Sequence, residues 1–133
     1  MGYLFDTDII SATLRRQPDL RVIRRLATVP AQDQFTSAIT VGELVFGAIR
    51  RGRQDLLERI DQLTAVVPAL PFDEAAARTF GQLKATLEQA GQPLAEPDLR
   101  IAAIALAADL VLVTGNERHF ARVPGLVLEN WLA

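Results

Sequence analysis

The sequence predicts an α/β fold, a mostly parallel five-stranded sheet covered by helices on both faces in a three-layer α/β/α arrangement. Three observations lead there. Short apolar runs without polar alternation, such as Tyr3-Leu4-Phe5 and Leu110-Val111-Leu112-Val113, read as strands buried on both faces. Amphipathic segments of helical length separate these runs, as in strand–helix–strand crossovers and not in hairpins. The 133 residues, 50% apolar and 23% charged, allow one domain with a core of its own, residues 1–133, and are too few for two.

The elements follow in order. Gly2 to Phe5 forms the first strand and ends at Asp6. A helix runs from Asp8 through Ile9, Ile10, Ala12 and Leu14 until Pro18 stops it, and a second carries Val22, Ile23 and Leu26 and ends at Pro30. Gln34 to Ile39 is the second strand, after which Thr40-Val41-Gly42-Glu43 opens a helix to about Arg51. Gly52 joins it to a helix from Asp55 to Leu63. Ala65 to Leu70 suits a third strand, and Asp73 then caps a long helix that Gly91 terminates. The loop to Pro97 leads into a helix from Asp98 to about Ala108, then to the strand ending at Thr114, with Leu126 to Leu128 as a fifth strand.

Composition excludes several chemistries. With no cysteine there is no disulfide framework, thiolate metal site or thiol nucleophile, and a reducing cytoplasm is the expected compartment. Asp6 and Asp8 interrupt the start where a signal peptide would be apolar, and Ile101 to Val113 is too short to span a membrane. The net charge of −2 is divided unevenly: residues 1–53 hold eight Arg against five acids, residues 54–133 six basic residues against eleven acids. Thirteen of the fourteen basic residues are Arg, which favours forked contacts to phosphate or carboxylate. Arg15, Arg16 and Arg50 are candidate phosphate contacts, although such residues are ordinarily solvated helix faces.

In an open parallel sheet, functional groups gather where strands end and the following helices begin. Asp6 ends the first strand, Asp8 opens a helix, Glu43 follows the second strand, and Thr114-Gly115-Asn116 follow the fourth. Asp98 joins this rim if the loop before Pro97 carries its helix start to the same edge. Clustered carboxylates take up protons or bind a cation, and oxygen donors without cysteine select Mg²⁺ or Mn²⁺. Such an ion activates water for attack on a phosphoryl group. Structural roles stand beside these. Thr40 and Glu43 spell a capping box, Asp8 is a possible helix cap, and Asp98 complements a helix dipole. His119 reads as a surface or packing residue and Trp131 as a core plug, whereas Asp6 at a buried strand end has to be solvated, paired or metal-bound.

With those residues in place, the chain resembles the PIN-domain ribonucleases, and more narrowly the VapC-type toxins of bacterial toxin–antitoxin modules. The matching pieces are Leu4-Phe5-Asp6-Thr7-Asp8, Ser37 to Gly47, Asp98 to Ala103, Val113-Thr114-Gly115-Asn116, and Val123 to Leu126 continuing through Glu129-Asn130-Trp131. The resemblance implies a PIN-like fold in which Asp6, Glu43 and Asp98 form an acidic metal site, with Asn116 at its edge and Asp8, Ser37 and Thr114 as supporting hydrogen-bonding positions. Many relatives carry an acid just before the residue matching Phe120. This chain has His119 there, so the fourth acid is either missing or replaced by Glu117. The resemblance further implies a toxin homodimer and a VapB-like antitoxin that occupies its groove.

The expected activity is a Mg²⁺- or Mn²⁺-dependent endoribonuclease acting on RNA phosphodiester bonds. One alternative is a haloacid dehalogenase-like phosphatase using Asp6 and Asp8, which would need a positioned lysine when Lys84 lies mid-helix. The other is a catalytically silent PIN-like module that binds RNA or a partner.

Overall fold

A computed structural model describes all residues, Met1 to Ala133. The strands are β1 (Tyr3–Phe5), β2 (Gln34–Ser37), β3 (Ala69–Leu70), β4 (Val111–Val113) and β5 (Leu128–Glu129). The helices are α1 (Thr7–Leu14), α2 (Leu20–Leu26), α3 (Ala38–Arg50), α4 (Gln54–Thr64), α5 (Glu74–Gln89), α6 (Glu96–Ala107) and the single turn α7 (Glu117–Phe120). All strand pairs are parallel, in the order β3-β2-β1-β4-β5. The chain builds outward from β1 to β3, then crosses to β4 on the other side of β1. The order therefore reverses between β1 and β4, the place where such sheets open a crevice.

The pleat of β1 sorts its side chains into two cores. Leu4 enters one with Leu112, Leu87, Ile101 and Phe120, under α5 and α6. Phe5 enters the other with Ile9, Ile10, Val22, Val113 and Trp131, under α1 and α2. Helices thus cover both faces, as the uninterrupted apolar strands require. No helix is long and apolar enough to cross a membrane.

Several boundaries move for identifiable reasons. The second strand stops at Ser37, two residues before Ile39, because the Ser37 hydroxyl accepts from the Thr40 amide at 3.0 Å and starts α3 there. Thr40 is thereby inside the helix, and the Thr40–Glu43 capping box does not form. Asp8 does not cap α1 either: Asp6 does, accepting from the Thr7 amide at 2.8 Å. The third strand shrinks to Ala69–Leu70, since the amides of Ala65, Val66 and Val67 bond to the carbonyls of Asp61 and Leu63 at the end of α4. The fifth strand lies at Leu128–Glu129, beyond a turn in which the Leu126 amide donates to Val123. Asp73 caps α5 as expected, accepting from Ala76 at 2.9 Å, and Gly52 and Gly91 end their helices at φ of 65° and 69°. Asp109, which interrupts the longest apolar run, takes φ 56° and lets α6 turn into β4 within three residues.

Candidate active site

Four carboxylates meet at the reversal point. Asp6 follows β1, and its amide still donates to Val113 of β4 at 3.0 Å, so the backbone carries its side chain out at the sheet edge. It is 6% exposed. One carboxyl oxygen accepts from the Thr7 amide and the other from the Thr114 hydroxyl, both at 2.8 Å. The buried Thr114 hydroxyl also accepts from the Asn116 amide at 3.0 Å, which ties the turn after β4 to Asp6. Asp8, two residues further on, accepts from the Gly115 amide at 2.8 Å through Oδ2, while its Oδ1 is buried with no partner. A side chain at Gly115 would run into Asp8 Oδ2, so only glycine permits this approach.

Glu43, exposed in the second turn of α3, comes from the other side of β1. Its carboxylate accepts from the Thr7 hydroxyl at 2.7 Å. The Thr7 and Thr40 hydroxyls are 3.1 Å apart, and those of Thr40 and Ser37 3.2 Å. Thr7 has one hydroxyl proton and the carboxylate takes it, so the three hydroxyls form a one-directional chain ending on Glu43. Ser37 therefore acts on the site through this chain and touches no acid. Thr7 is a residue that sequence reasoning passed over, although it sits between Asp6 and Asp8; a hydroxyl in that position was the available signal.

Asp98 is the third residue of α6, half-buried, and joins the same group. Burial raises its pKa, the charges of Glu43 and Asp8 raise it further, and His119 partly offsets them. Asp8 is raised by burial against the pull of the Gly115 amide. Asp6 is pushed up to about 6, chiefly by burial, with the charges of Asp8 and Asp98 adding to it and the Thr114 and Thr7 bonds opposing it. Glu117 and His119 are exposed on α7, and Lys84 pairs with Glu96 at 2.9 Å.

No three acidic or histidine side chains close on a point tightly enough to cage an ion by themselves. Mg²⁺ keeps several waters and uses only one or two carboxylates, so an open acidic group of hard oxygens with one buried, unpartnered oxygen fits a hydrated divalent cation. Beside Thr7 and Glu43 opens a cavity of about 400 Å³ between α1, α3 and α4, with Arg15 and Arg16 on its wall. Arg50 is not among its lining residues; its guanidinium lies 5.8 Å from the Phe46 ring centre.

The Asp6 environment has a measurable consequence in metal-free protein. A carboxyl raised by folding favours the folded state while protonated: the contribution is complete below its ordinary value of 3.8 and is lost as pH rises through about 6. The loss is on the order of 3 kcal/mol. Urea unfolding in EDTA should therefore show wild type losing stability relative to Asp6→Asn as pH rises across this window. A pH-independent difference would rule out a buried carboxyl held in this way.

A five-stranded parallel α/β/α sandwich with four acids at its reversal point defines the class as the PIN domain, whose family model matches residues 3–126. The chain belongs to the PIN-domain family, among its VapC-type members. It is 34% identical over 136 residues to "Ribonuclease VapC2" of Haemophilus influenzae, covering 99% of each chain. It is 32% identical to the "tRNA(fMet)-specific endonuclease VapC" of Shigella flexneri, covering 98% of each. Among solved structures, DNA-bound VapBC from Salmonella typhimurium superposes with a TM-score of 0.90 at 30% identity over 98% of each chain.

Proposed function

We propose that this protein is a divalent-metal-dependent endoribonuclease, the toxin of a VapBC-type toxin–antitoxin module. The observation that carries the reading is the meeting of Asp6, Asp8, Glu43 and Asp98 at the sheet reversal, with the Asp6 pKa raised to about 6. Full-length similarity to chains named as ribonucleases supports it. Asp6, Glu43 and Asp98 would hold hydrated Mg²⁺, or Mn²⁺ in its place, one or two of them directly and the rest through its waters, and Asp8, Thr114 and Asn116 would support them. When bound, the ion supplies charge neutralisation and an acidified water next to the phosphodiester. Thr7 and Thr114 hold Asp6 in one orientation, and the Thr7 hydroxyl aims Glu43. A carboxylate of the group accepts the proton of the attacking water as its oxygen bonds to phosphorus and the RNA ester oxygen leaves.

The same reading takes the protein to work in the cytoplasm as a homodimer, restrained by a VapB-like antitoxin. The solved relative is a VapBC complex, and a basic antitoxin side chain would be drawn to an uncompensated acidic centre. Nothing favours the phosphatase alternative, because the single lysine is engaged with Glu96.

Antitoxin-free protein should cut tRNA or other cellular RNA in Mg²⁺ or Mn²⁺ and stop on addition of EDTA. Folded protein that cuts none of several RNAs in either ion would reject the enzyme and leave the silent binding module.

A further inference from the structure

The cavity beside the acids is not explained by the catalytic reading, and its charge is opposite to theirs. Arg15 and Arg16 reach it from the end of α1, Arg51 from the end of α3 and Arg53 from the start of α4. Arg53 pairs with Asp55 at 2.7 Å, but Arg15, Arg16 and Arg51 take part in no ion pair. Three uncompensated guanidinium groups around one concavity make a site for an anion with several oxygens. Its lining also includes apolar Leu44 and Leu56, and it takes in Thr7 and Glu43, which ties it to the acidic group. At about 400 Å³ the cavity has the size of a small-ligand pocket.

We infer that this cavity seats the nucleotide flanking the scissile bond, with Arg15, Arg16 and Arg51 on its phosphate and the apolar lining against its sugar or base. The inference rests on the ribonuclease reading, since continuity with the acids makes RNA the expected occupant. A polyanion crossing from the acidic centre, where a bound cation would neutralise one phosphate, into the cavity meets guanidinium charge at the next. Arg50 lies outside the lining and contributes little.

The test uses a fluorescein-labelled single-stranded RNA of 12 nucleotides, its binding read by anisotropy in EDTA so that no cutting occurs. The Arg15→Ala/Arg16→Ala/Arg51→Ala variant should weaken binding at least tenfold and lower the slope of log affinity against log salt by about 0.7, the value for one phosphate contact on a single strand. Gly47→Glu is the second variant. Gly47 lines the cavity within α3, and a Cβ there meets nothing within 4 Å, so the acid enters the cavity while the helix gains a better former. It too should weaken binding about tenfold, whereas Arg78→Ala on α5 should leave it unchanged. In Mg²⁺, both cavity variants should raise KM with kcat little altered. Protein that cuts RNA while both variants keep wild-type affinity and KM overturns the cavity assignment alone and leaves the cavity to a protein partner. Arginine-dependent binding by protein that cuts nothing overturns the nuclease reading and upholds the cavity.

Discussion

Asp6→Asn is expected to reduce metal-dependent RNA cleavage by about 10³-fold, because several kcal/mol of transition-state charge stabilisation depend on the acid it removes. The substitution keeps size and shape, and the Asn oxygen can still accept from the Thr7 amide, so α1 keeps its cap. What disappears is the most buried charge of the acidic group, held by bonds from the β1 and β4 sides of the sheet edge. Asp98→Asn should give a loss of similar size, since the two acids approach from different elements and neither can replace the other. Initial rates of cleavage, measured beside a thermal melt of each variant, decide the matter. Activity within a few-fold of wild type in a folded Asp6→Asn protein would remove Asp6 from the reaction.

The largest effect on stability is expected at the other end of the chain. Trp131 is 2% exposed, its ring centre 5.3 Å from that of Phe5 and 5.5 Å from that of Tyr3. The Arg25 guanidinium covers its face at 5.0 Å, and its indole N–H donates to Glu129 at 2.9 Å, the same carboxylate that pairs with Arg25 at 2.8 Å. Trp131→Ala should cost about 3–5 kcal/mol, from lost burial and the cavity left between β1 and α2. Trp131→Phe, which retains the ring packing and loses the N–H bond, should cost about 1 kcal/mol. The effect reaches the site, because the Glu129 backbone carbonyl accepts from the Thr114 amide at 3.0 Å and Leu132 packs near Gly115. Urea midpoints at constant slope measure both costs. An alanine variant within 1 kcal/mol of wild type would show that the surrounding rings collapse into the space.

The fold class was legible because it rests on local patterns. Uninterrupted apolar strands have to be covered on two faces, and helices between parallel strands are the cover that a chain of this length can supply. Asp6, Asp8 and Glu43 were legible as rim residues for the same reason, each lying at a junction where the apolar pattern changes. Element ends were less legible. Ala38 and Ile39 look like more of β2, and only the Ser37 hydroxyl, which offers an amide partner, turns them into helix. Ala65 to Val67 look like strand, yet their amides are satisfied by the preceding helix.

By itself the sequence determined the α/β class, the absence of thiol chemistry, the rim position of Asp6, Asp8 and Glu43, and the plug role of Trp131. The tertiary structure decided that the loop before Pro97 carries Asp98 to the edge of Asp6, and it alone decided that Asp6 and not Asp8 caps α1, that Thr7 aims Glu43, and that Arg51 and not Arg50 lines the cavity. The reason is that periodicity within an element reports which face is buried, whereas these relations depend on how elements far apart in the chain cross. Thr114 lies 108 residues from Asp6, and Glu43 lies 36 from Thr7. Their 2.8 and 2.7 Å bonds exist only because the sheet order reverses at β1 and brings separate chain segments to one edge.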